Sequence, residues 1–200
     1  MTIRDTALHR AVARVAALEF GFFGVEASIA IAIGSVALIA DSIDFLEDAS
    51  INLLIFVALG WSALARARLG GAMALILLLP TVGTLWVAWE KFNTPVPPAA
   101  LPLTLTALAA LAANAISAWL LAKHRHTGGS MVKAAFLSAR NDMIANVAIM
   151  AAGIATAFTL SAWPDLGVGL AVALLNIGAA KEVWEAARTE RRDARLGENA

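Results

Sequence analysis

There is no cysteine among the 200 residues, so the chain has neither disulfides nor thiolate metal ligands. Charge is scarce as well. Asp, Glu, Lys and Arg make up 15% of the sequence, in equal numbers of each sign, about half of what a soluble surface carries. A neutral chain without a basic stripe has no electrostatic footprint for nucleic acid, and none is expected as a partner. No nucleophile–base pair, phosphate-binding glycine loop or zinc-protease motif occurs. An enzyme is therefore not expected, nor a cofactor. A signal-peptide pattern is lacking too. The apolar stretch after Arg10 is too long for a signal core and holds Glu19 and Glu26, so it reads as a retained first helix.

What the chain has in abundance is apolar sequence. Hydrophobic residues are 60% of it and the mean hydropathy is +0.76, against roughly 45–50% apolar in soluble domains. The expected class is an all-α integral membrane protein. A span needs about 20 apolar residues, and six stretches supply them: Val12 to Ile33, Val36 to Ala65, Leu69 to Trp89, Leu101 to Leu121, Met131 to Leu160, and Leu166 to about Trp184. Gly34-Ser35 breaks the first from the second, Pro80 kinks the third, and the prolines between Glu90 and Pro98 dictate a loop. The expected division is a transmembrane domain over residues 1–188 and a short charged tail over 189–200.

With six spans, the basic residues fall on one side. Arg4, Arg10, Arg14, Arg66, Arg68, Lys123, Arg125 and Lys133 share it with Lys181, Arg188, Arg191, Arg192 and Arg195, and Lys91 alone lies opposite. The positive-inside rule then puts both termini in the cytoplasm, with the chain in the cell's inner (plasma) membrane. Trp61, Trp86, Trp89, Trp119, Trp163 and Trp184 all sit near span ends, as an aromatic belt requires.

The second span carries four carboxylates, Asp41, Asp44, Glu47 and Asp48. Each costs roughly 2.5–3.5 kcal/mol near the bilayer centre, so a chain that keeps several has a use for them. Asp44 and Asp48 stack on one face, with Asn52 a turn beyond. Counted from Val36, Asp48 lies roughly 18 Å deep, near the midplane of a bilayer about 30 Å thick. In the fifth span Ser138, Asp142 and Asn146 share a face, and Asp142 reaches the same depth from the other end. Two antiparallel helices thus bring oxygen ligands to one level, the geometry needed to hold a divalent cation. The bland alternative is interhelical hydrogen-bond glue, which suits a single residue better than three carboxylates at matching depth. Arg140 points away from Asp142 and is expected to bridge to Glu47, Glu19 or Glu26. Glu19 and Glu26 share a face and fit three roles: proton relay, cation path, or partners of Arg140. His124 and His126 read as solvated loop residues, and Asn114 and Ser117 as packing or vestibule residues.

At this point the pattern resembles the cation diffusion facilitator (cation efflux) family. GSVALIADSIDFLEDASINLL resembles its second-helix signature, in which two ligands stand four apart; they map to Asp44 and Asp48. AAFLSARNDMIANVAIMAAG resembles its fifth helix, where a His or Asp precedes an Asp by four; those positions are Ser138 and Asp142. WVAWEKFNTPVPP and WPDLGVGLAVALLNIGAAKEVWEAA look like the end of the third helix and the sixth. The resemblance implies a bundle of helices 1, 2, 4 and 5 around a midplane metal site of Asp44, Asp48, Asp142 and Ser138, with helices 3 and 6 paired beside it. It also implies efflux of a divalent transition metal, as substrate rather than cofactor, by alternating access. Two departures stand out. Ser138 replaces the His of many zinc carriers, so the site is all oxygen, which suits harder ions such as manganese. The family's usual C-terminal metal-sensing domain is not expected here, which leaves homodimerisation to the membrane domain.

Clustered carboxylates do not all stay ionised in low dielectric without a cation. The empty site is expected to take up protons and the metal to expel them, giving proton–metal antiport. Two other readings compete: a proton-coupled exporter of organic cations centred on Glu19 or Glu26, and a non-transporting membrane relative.

Overall fold

The structure, a computed structural model, describes residues 3–58, 82–124 and 129–175, with positions 181, 184, 188 and 192. Among these every regular element is helical: α1 (Ile3–Ile33), α2 (Val36–Ala58), α3 (82–93), α4 (Ala100–Ala122), α5 (Gly129–Thr159) and α6 (Trp163–Leu175). The end of the second expected span, most of the third with Pro80, Trp61, the Arg66/Arg68 loop, His126 and nearly all of the tail lie outside the described residues. Among the described residues, three helices are long and apolar enough to cross a bilayer, over Ala7–Ile33, Ala100–Ala122 and Ala135–Thr159. At 23 residues α2 matches α4 in length, but its four carboxylates lower its apolar content.

Helix boundaries follow local chemistry. Gly34 adopts φ 66, a left-handed conformation open to glycine at little cost, and this ends α1. Ser35 then caps α2, its Oγ accepting from the Leu38 amide at 3.1 Å. The loop expected from Glu90 begins later than the prolines suggested. Residues 90–93 continue α3, where the Asn93 side chain donates to the Trp89 carbonyl (2.7 Å) and the Thr94 amide to Glu90 (2.9 Å). Proline bars a helix only where its ring and missing N–H fall, so Pro95 leaves the preceding turn intact.

Small residues bring the helices close. Ala30, Ala37, Leu38, Leu103, Ala107 and Ile149 form one buried cluster from α1, α2, α4 and α5. Phe45 packs on Ala110 and Ala113, with the Phe22 ring 4.7 Å from its own. Val12, Val15, Leu121 and Ala135 close the opposite end. α6 lies against the start of α2, and Gly169 allows it: a Cβ there would stand 2.6 Å from the Ala37 nitrogen. Outward faces are apolar and bare, with Ile31, Leu101, Ile144 and Phe158 highly exposed, as a lipid-facing surface requires. Trp86, Trp89, Trp119, Trp163 and Trp184 are exposed as well.

Candidate metal centre

The apolar clusters enclose polar side chains that are among the most buried in the chain: Glu19, Glu26, Asp41, Glu47, Asp48, Asn52, Asn114, Ser117 and Asn146. They come from α1, α2, α4 and α5, and they fall into layers.

The central layer is a cavity of about 210 Å³ between α2, α5 and α6, lined by Asp44, Glu47, Asp48, Ser138, Asn141, Asp142, Ala145, Val172 and Leu175. All four sequence-predicted ligands are on its wall. Ser138 Oγ donates to Asp48 Oδ1 at 2.9 Å, and the Asp142 carboxyl lies within hydrogen-bond reach of Asp48. The four-residue spacings in α2 and α5 are what turn these groups inward together. Among the described residues no three His, Asp or Glu side chains converge as closely as a bound ion needs; the carboxylates surround a space instead. Two contributors escaped sequence reasoning. Glu47 faces the cavity, and α6 supplies the apolar wall through Val172 and Leu175. A wall from a non-adjacent helix leaves no mark in local spacing. Arg140 is exposed. No donor reaches Oε1 of Glu19 or either oxygen of Glu26, so its expected bridge to those two residues is not made.

On one side of the cavity, Asn146 donates to both oxygens of Asp41, at 2.8 and 2.7 Å, and accepts from Asn114 at 3.1 Å. Glu26 lies beside Asp41 at hydrogen-bond range. Four helices thus meet in one polar layer, with Asp41 and Asn146 each a turn from a predicted ligand. On the other side, Asn52 donates to Glu19 Oε2 at 3.1 Å and to the Asp48 carbonyl at 2.9 Å.

A separate ionic cluster closes the α1–α2 turn. Lys91 Nζ donates to Asp165 Oδ2 at 2.7 Å and to the Gly34 carbonyl at 2.6 Å. Asp165 also accepts from Ser35 Oγ (2.5 Å) and from the amides of Val36 (3.0 Å) and Ala37 (3.3 Å). Lys91 is thereby committed to a buried pair. The neighbouring hollow of about 610 Å³, lined by Trp86, Trp89 and Glu90 among others, has no such convergence of carboxylates.

Chemically, the central cavity gathers carboxyl and hydroxyl oxygens in a low-dielectric setting, donors of the kind that can hold a cation. Zinc transporter ZitB of Pectobacterium atrosepticum is 33% identical over 138 residues, 63% of this chain and 43% of that protein. Zinc transporter ZitB of Escherichia coli is 29% identical over 174 residues, 80% of this chain and 55% of that one. The chain spans about half the length of these curated relatives. Residues 12–189 match the cation efflux transmembrane domain, and the chain belongs to that family.

Proposed function

We propose that this chain moves a divalent transition-metal cation out across a membrane that it spans six times, with both termini in the cytoplasm of the cell's inner membrane. The reading rests on one observation: Asp44, Asp48, Ser138 and Asp142 line a single cavity between α2, α5 and α6. The similarity to proteins named zinc transporters supports a metal as cargo. Asp44, Asp48 and Asp142 are the ligands, with Ser138 as a fourth or as a positioning donor to Asp48. The metal reaches them near the bilayer midplane, and movement of the bundle exposes them to one side and then the other. Protons taken up by the empty site leave when the metal binds, since ligating carboxylates are deprotonated. Antiport follows from that exchange. Two copies pair through their membrane helices.

Metal flux in proteoliposomes tests the reading, across zinc, manganese, cobalt, iron and cadmium. Wild type is expected to carry at least one of these, and Asp48→Ala to carry none. Absence of flux for every ion in well-folded wild type would sink the metal reading.

A further inference from the structure

Beyond the cavity, one turn along α2 from Asp48, three buried oxygens from three helices have no hydrogen-bond partner: Glu19 Oε1, Asn52 Oδ1 and Ser117 Oγ. All three residues are within 1% of complete burial. Asn52 bonds Glu19 directly, and the Ser117 hydroxyl stands within hydrogen-bond reach of the Glu19 carboxylate without the alignment that would satisfy either oxygen. An unpaired buried polar atom costs about 1–3 kcal/mol, so three together call for a ligand.

The orientation of Asn52 sharpens this. Both of its amide hydrogens are used, one on Glu19 Oε2 and one on the Asp48 carbonyl. Turning the amide over would set its oxygen against two acceptors. Its carbonyl is therefore held as a free acceptor beside a carboxylate. What the trio lacks is positive charge, and it has one carboxylate, one amide carbonyl and one hydroxyl with which to receive it. Such a set, without imidazole or thiolate, suits a hard divalent cation that keeps several waters. It sits about 6 Å along α2 from Asp48, on the side of the α1 N-terminus, and the Asp48 charge acts on Glu19 from there.

We propose that Glu19, Asn52 and Ser117 form a second cation site, which holds a partly hydrated divalent ion on its passage between the cytoplasmic face and Asp48. The direction of passage rests on the transport reading above; the site itself does not. Two clusters of oxygen donors a turn apart let an ion move from one to the other without crossing apolar helix surface. The weaker donor set on the cytoplasmic side means that the ion is released forward to the carboxylates of the cavity.

The test uses the full chain in lipid nanodiscs with Mn²⁺ as probe, counting bound ions by equilibrium dialysis and electron paramagnetic resonance. Wild type is expected to bind one more Mn²⁺ than Glu19→Gln, and one more than Asp142→Asn, which removes a cavity ligand. In proteoliposomes Glu19→Gln is expected to raise the half-saturating Mn²⁺ concentration about tenfold while keeping the maximal rate, the signature of lost binding rather than lost translocation. Glu19→Asp is expected to recover part of that affinity. Ser117→Ala changes one atom and guards against misfolding; it is expected to weaken the second ion with an unchanged melting temperature. Equal ion counts and equal half-saturation in wild type, Glu19→Gln and Ser117→Ala would overturn the site and leave a bridging water in its place. Should Asp142→Asn bind and carry Mn²⁺ like wild type, the cavity reading fails instead, and the Glu19 site is judged on its own variants.

Discussion

Ser138 sets the character of the proposed cavity. Its hydroxyl donates to Asp48, so it orders a carboxylate whether or not it also touches the metal. Replacing it by His puts an imidazole among carboxylates, and imidazole nitrogen favours zinc over manganese. Ser138→His is accordingly expected to raise the zinc-to-manganese ratio of transport by at least about tenfold, a difference of roughly 1.4 kcal/mol. Competition flux with both ions present measures it, and an unchanged ratio would remove Ser138 from the site. That Asp44, Asp48, Ser138 and Asp142 face one cavity was legible because period-3.6 geometry alone turns residues four apart to one face. Glu47 was read only as one of three candidate partners for Arg140, and its place on the cavity wall depends on α5 and α6, beyond any local window. The Asp41–Asn146 bond was likewise invisible, as its partners stand 105 residues apart.

At the scale of elements, hydropathy located the described helices, since burial in lipid demands long apolar runs, but α1 begins at Ile3, well before the apolar run expected from Val12. It misread the end of α3. Lys91 was taken as a lone charge opposite the basic side, whereas it is buried against Asp165, 74 residues away. That cluster ties α3, the α1–α2 turn and α6 together at one end, and its parts are unequal. Asp165 receives Lys91, Ser35 and two backbone amides at the start of α2, where the helix dipole also favours its charge. Lys91 keeps the Gly34 carbonyl if Asp165 is lost, but its charge is then unpaired. Asp165→Leu is thus expected to destabilise by about 3–5 kcal/mol, as for a buried charge robbed of its partner. Lys91→Met leaves Asp165 with three donors and is expected to cost less, about 1.5–3 kcal/mol. Thermal unfolding in detergent ranks the two variants; the reverse order would mean that Lys91, not Asp165, organises this end. Gly169 matters to the same junction, because α6 reaches α2 only where no side chain intervenes.

The whole molecule carries an imbalance that transport has to resolve. Asp44, Glu47, Asp48 and Asp142 share one cavity, with Asp41, Glu26 and Glu19 in the layers around it. Repulsion among them in low dielectric is relieved by a divalent cation or by protons, and the two are alternatives at the same oxygens. In the proposed cycle, metal leaving on the far side is replaced by protons drawn from that side, so acidity outside is expected to drive efflux and alkalinity outside to slow it. The stoichiometry is readable from the steady state. With the membrane potential clamped at zero, each exchanged proton contributes about 1.4 kcal/mol per pH unit of gradient. One proton per ion supports about a tenfold metal gradient per pH unit, and two support about a hundredfold. Proteoliposomes loaded at a series of pH differences, with potassium and valinomycin to hold the potential, measure that slope. A slope of one or two decades per unit assigns the proton number. A metal gradient indifferent to pH difference would separate the protons from the cycle and leave the buried carboxyls as a cation path alone.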